Sequence, residues 1–119
     1  MIHVAVLKPK YIDLILAGEK TIESRFARVR ALPIGRIAPG HTIYLKDSGG
    51  PVRATAIASR VWNFENLCPK QIDMLKRRFE HRVRAGSDYW RQHRHANHAC
   101  FIELGQLEPI FDPPIVPRL

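Results

Sequence analysis

The chain has no long apolar run. None of its hydrophobic stretches approaches the roughly 20 residues that cross a bilayer as a helix, which argues against a membrane partner. The start, MIHVAVLKPK, has no basic leader and only a short apolar run of strand length, so no signal peptide is expected. Cysteine is scarce. Cys68 and Cys100 are the only two, too few for a disulfide framework, and two reduced thiols in a cytoplasmic protein is the expectation. Acidic residues are also few, with 11 Asp and Glu against 19 Lys and Arg, which leaves a net charge of +8. A surface so basic favours polyanionic partners, nucleic acid first. There is no internal repeat, and no linker divides the 119 residues, so 1–119 reads as a single domain.

What is present is ordinary globular composition, 45% hydrophobic and 25% charged, which argues against disorder. Residues 2–7, IHVAVL, read as a strand. Pro9 opens a helix and Gly18 closes it, with Tyr11, Leu14 and Ile15 as the apolar stripe. Residues 20–26 alternate: Thr21, Glu23 and Arg25 fall on one face, and Ile22, Ser24 and Phe26 on the other. A loop with Pro33, Gly35, Pro39 and Gly40 follows. TIYLKD, the SGGP turn and VRATAIASRVW form a hairpin. Its second strand places Val52, Ala54, Ala56, Ala58, Arg60 and Trp62 on one side. Pro69 starts a second helix with the stripe Ile72, Leu75, Phe79 and Val83, and Gly86 ends it. Ser87 caps a short turn of helix holding Tyr89 and Trp90. A strand follows over 98–104, with another over 106–111, and the proline-rich segment 110–119 is an extended tail. The order of elements is that of an α+β fold, a small mixed β-barrel with flanking helices.

The charge is concentrated. Residues 20–36 hold five cations against Glu23 alone, and residues 70–94 hold eight against three acids. On the second helix Arg78 and Arg82 share a face at i, i+4 and suit a row of phosphates. Asp73–Arg77 and Glu80–Arg84 pairs at the same spacing would instead make that helix a solvated face. Tyr89 and Trp90 beside these arginines suit base stacking, although a tryptophan's commoner fate is the core. His93, His95, His98 and Cys100 lie close together in HRHANHAC, but their spacing matches no usual zinc pattern, so no metal is assigned. No cofactor motif is found.

The sharpest feature is GEKTIESR, residues 18–25. Lys20 stands at the corner between helix and strand, and Glu23 and Arg25 share the strand face. Two cations beside a carboxylate can hold a phosphate or a base edge while Glu23 accepts from an exocyclic amine. A salt-bridged corner that only stabilises the fold is the plainer alternative. The segment resembles the Gly-x-Lys-x-x-Glu-x-Arg pattern of the ASCH family, a branch of the PUA-like superfamily. LKPKYIDLILAGEKTIESR is similar to that family's strand–helix–motif opening, and APGHTIYLKD to the strand after it, with His41 where an acid is common. The resemblance implies a small barrel whose cleft is lined by the motif, and an association with RNA or a modified nucleoside. Lys8, Lys20, Glu23 and Arg25 would line the cleft, with Arg28, Arg78 and Arg82 on flanking phosphates and Tyr89 and Trp90 beside them.

Some members of the family are hydrolases. An amidohydrolase of acetylated cytidine uses a lysine and a threonine three residues later, with a glutamate from the later helical region. Here Lys20 is present but Glu23 replaces the threonine, so that triad does not carry over; Glu65 or Glu80 would have to supply the third member. Other members are ribonucleases, for which Lys20 with Tyr44 or Ser24 would be the candidates. As a nucleophile or base Lys20 needs a lowered pKa, and adjacent Glu23 works against that.

Overall fold

The computed structural model describes residues 1–29 and 36–111. Arg30, Pro33, Gly35 and residues 112–119 of the extended tail expected over 110–119 lie outside the described residues. The elements run β1 (Ile2–Leu7), α1 (Pro9–Leu16), β2 (Ile22–Ala27), β3 (Thr42–Asp47), β4 (Val52–Phe64), α2 (Pro69–Val83), α3 (Ser87–Gln92) and β5 (His98–Pro109). All five strands form one curled, half-barrel sheet in the order β1-β3-β4-β5-β2. The β1–β3 pair is parallel and the other pairs are antiparallel. β1 and β2 are therefore the two edges. This is the expected α+β architecture with flanking helices.

Alternation along the strands divides the core in two. On the concave side Ala5, Leu7, Ile43, Leu45, Ala54, Ala56, Ala58 and Ile102 pack with Ile12 and Ile15 of α1. On the other side Ile22, Ala99 and Phe101 pack with Ile72, Leu75, Phe79 and Val83 of α2 and Trp90 of α3. The α2 stripe is the one the sequence spells out. That of α1 is rotated: Ile12 and Ile15 are its buried residues, while Tyr11 only packs at the margin.

Three differences from the sequence reading have physical causes. The alternation in β4 holds through Ala58 and then reverses, because a bulge at Ser59 shifts the register between Ala58↔Leu104 and Arg60↔Glu103. Val61 then faces the concave core, and Trp62 faces α2 instead of sharing the alanines' side. Second, residues 98–109 form one strand, not two. Gly105 pairs with Ile57 beside the bulge, and a Cβ there would stand 2.0 Å from Ser59 Oγ. Third, α2 ends before Gly86, with Arg84 as a left-handed C-cap at φ 54° whose N–H bonds Glu80 O.

Candidate functional site

The curled sheet brings its two edges to opposite sides of a cavity of about 250 Å³. His3 and the backbone of β1 line one side, Glu23 and Arg25 of β2 the other, and Ile37, Ile43 and Ile102 form apolar walls. Glu23 and Arg25 arrive together because they are two residues apart on one strand, as the alternation requires. Glu23 Oε1 accepts the Ser24 N–H at 2.9 Å and lies 3.7 Å from Lys20 Nζ. Its second oxygen has no hydrogen-bond partner among the described residues. Arg25 Nε is buried without a hydrogen bond, a costly arrangement for a guanidinium unless a ligand completes it.

Lys20 is placed differently from the expectation. It is only 2% exposed and does not line the cavity. Nζ donates to Val83 O at 2.7 Å and Ile22 O at 2.9 Å, and it forms an ion pair with Glu23 Oε1 at 3.7 Å, too long for a hydrogen bond. Lys20 thus ties the last turn of α2 to the start of β2 and holds Glu23 from behind. Burial lowers its pKa, outweighing the opposite pull of Glu23 and Glu80. Thr21 completes the corner, its hydroxyl accepting from Arg82 Nε at 3.0 Å.

At the mouth, His3 and His41 stack with ring centroids 5.1 Å apart, and His3 Nε2 lies 2.9 Å from His41 Nδ1. His41 Nδ1 also accepts the Ala38 N–H at 3.2 Å, so it is an acceptor and His3 Nε2 must be the donor. Desolvation lowers the His3 pKa, helped by His41, the N-terminal amine and Arg25. Nothing in the sequence singled out His3, because only the parallel β1–β3 pairing sets it opposite residues of β2.

The remaining residues scatter. Lys8 is exposed at the N-cap of α1. Arg82 bonds Glu103 at 2.8 Å as well as Thr21, and Arg78 lies over the Phe79 ring. Both belong to α2, which covers the face of the sheet opposite the cavity. Trp90 is 3% exposed, packs in that core and donates to Glu80, which leaves no face for a base. Tyr89 bonds Ser24 Oγ at 2.9 Å and Ser24 O at 3.2 Å, and burial raises its pKa. The expected Asp73–Arg77 and Glu80–Arg84 pairs do not form among the described residues. Asp73 pairs with Arg94 at 3.3 Å, and Glu80 holds the Gly86 N–H and the Trp90 indole. His93 stacks on Phe26, His95 is exposed and His98 lies in β5. No three metal-ligating side chains converge among the described residues. Arg28 is exposed at the end of β2, beside Gln92 and His93. A groove between α2 and α3 adds Lys76, Arg91 and Arg94, none of which was singled out from the sequence as a contact.

With this geometry in place, comparison with solved structures is informative. The ASCH protein from Zymomonas mobilis superposes with a TM-score of 0.67 at 21% identity, over 89% of this chain and 68% of that one. A serine-to-alanine mutant of it gives 0.69 at 21% identity, over 91% and 70%. The chain has the ASCH fold. A hypothetical protein, PH0355, also matches, with a TM-score of 0.63 at 24% identity over 92% of this chain and all of that one. No protein-family model and no curated protein matches the sequence. The ASCH fold is thus recovered from backbone shape where sequence identity is only 20–24%.

Proposed function

We propose that this ASCH-fold domain binds single-stranded nucleic acid, RNA first, and seats one base in the cavity between β1 and β2. The observation that carries the reading is Arg25 Nε, buried and without a hydrogen bond in the cavity that Glu23 also lines, where one Glu23 oxygen has no hydrogen-bond partner among the described residues. A nucleobase with an amine next to a ring acceptor would satisfy both: Glu23 accepts from the amine and Arg25 donates to the acceptor. Because Glu23 Oε1 is occupied, one donor fits better than two adjacent donors. The isoleucine walls supply apolar contact for the ring faces. A modified base that keeps one N–H fits the same description.

Flanking phosphates would run past Arg28 and along α3 to Arg91, Arg94 and Lys76, in place of the Arg78 and Arg82 row. Arg82 is committed within the fold, and Arg78 lies over the Phe79 ring. A cytoplasmic setting with both thiols reduced belongs to this reading; Cys68 and Cys100 are not joined in a disulfide. No helix among the described residues is long and apolar enough to cross a membrane.

One observation favours a hydrolase instead, namely the lowered pKa of Lys20, as a catalytic lysine requires. Against it, Nζ donates to two backbone carbonyls and lies outside the cavity lining, so it offers no lone pair to a substrate.

The test is fluorescence-polarisation binding of short single-stranded RNA, single-stranded DNA and duplex DNA over a salt series, with the RNA recovered and checked for cleavage. Tight, salt-sensitive binding of intact RNA, weakened about tenfold in Glu23→Gln, is the expected result. Cleaved RNA would move the function to the hydrolase, and binding indifferent to Glu23 would remove the cavity from the site.

A further inference from the structure

The two edges of the sheet are finished differently. The free edge of β2 is sealed by side chains: Lys20 bonds Ile22 O, Glu23 bonds the Ser24 N–H, and Tyr89 bonds Ser24 O. Among the described residues, β1 has no such cover. Its odd-numbered residues face β3, for Met1 O accepts from Thr42 N–H at 3.2 Å and Leu7 O from Ser48 N–H at 2.7 Å. Backbone groups of a strand alternate between its two sides. The N–H and C=O groups of Ile2, Val4 and Val6 therefore point away from β3. No hydrogen bond meets them among the described residues. Their own side chains are apolar and more than half exposed, so none can fold back as a cap. The Ile2–Ala5 part of β1 lines the cavity, across from Glu23 and Arg25.

We propose that this bare edge is the second half of the recognition site. The Val4 N–H and C=O, flanked by those of Ile2, hydrogen-bond an adjacent acceptor and donor on a nucleobase ring held in the cavity. Glu23 and Arg25 address the same ring from β2. The ring then stands where a further strand would close the barrel. This rests on the nucleic-acid reading above and adds that recognition is partly by backbone. Cavity size selects the occupant: about 250 Å³ is below the roughly 300–1,000 Å³ of sites for drug-sized ligands, so it holds a single ring system. An extended peptide along six residues of β1 would need a slot about 20 Å long. A second copy in antiparallel pairing would bring Lys8 against its partner's N-terminus, between two molecules each carrying +8.

Amide hydrogen exchange followed by NMR tests this in the intact chain. Without ligand, the Val4 amide exchanges freely while Ala5, bonded to β3, is protected. Saturating short single-stranded RNA of mixed sequence slows Val4 exchange about tenfold or more. Val4→Pro, which removes an N–H not used by the ladder, weakens RNA binding about tenfold, while Val4→Ala stays within about twofold. Three results overturn the proposal. Val4 exchange unchanged at saturation, with binding still lost in Arg25→Ala, removes the edge and leaves the cleft reading standing. No RNA binding by the wild type removes both. Protection of Ile2, Val4 and Val6 that grows with protein concentration alone assigns the edge to a second copy.

Discussion

Lys20 and Arg25 belong to one eight-residue motif yet play opposite parts. Lys20 is buried, bonded to two backbone carbonyls and ion-paired with Glu23, so its loss strands Val83 O, Ile22 O and Glu23 together. Lys20→Met should destabilise the protein by about 3 kcal/mol in urea unfolding, the usual cost of breaking a buried charge pair. Arg25 has the reverse character, a buried Nε left open. His93 adds a pH dependence. Burial against Phe26 and Tyr89 lowers its pKa below 6.5, so between the folded and unfolded values the unfolded chain binds more protons. Its contribution is complete above pH 6.5 and is lost as pH falls toward the lowered value. Melting temperature should therefore fall on acidification from pH 7 to 5, and His93→Gln should flatten that slope; an unaltered slope would place the dependence elsewhere.

Among the elements, the edge strands and the β4 bulge carry most of what is specific to this chain. Tyr89→Phe removes one seal of β2 and should cost about 1 kcal/mol without altering the sheet, as chemical unfolding and circular dichroism can show together. Gly105→Ala should cost about 1–3 kcal/mol, because its methyl meets Ser59 Oγ, and Ser59→Ala in the same chain should recover most of that. The strands themselves were legible in the sequence. β1 and β3 follow from short β-rich runs, the motif strand from period-two patterning, and α2 from its stripe. The bulge at Ser59 was not, because it arises from pairing with β5, and alternation read along one strand cannot register it. Trp62 changed faces for that reason. The i, i+4 ion pairs failed for a similar one: Asp73 and Glu80 found partners on the α3 side, in tertiary contact, which helix spacing does not encode.

For the molecule as a whole, the motif's strand face was legible and the other half of the cavity was not. Glu23 and Arg25 come together through local geometry, whereas His3 and the β1 edge reach them only through the curl of five strands. Net charge signalled a polyanion without telling the α2 row from the α3 side. If α3 is the track, replacing Lys76, Arg91 and Arg94 by alanine should reduce the slope of log K against log salt by about 2, at roughly 0.7 per phosphate contact, while Arg78→Ala leaves it unchanged. An equal reduction from Arg78→Ala would return the track to α2. The central claim is that Arg25 is kept for a ligand and not for the fold. The most direct measurement is Arg25→Met, with urea unfolding and RNA binding determined on the same preparation. The account predicts stability unchanged or raised, since a buried unpaired donor is removed, and binding weakened by about tenfold or more. Stability lowered by more than about 1 kcal/mol with binding intact would contradict it, making Arg25 a structural residue and the cavity no site.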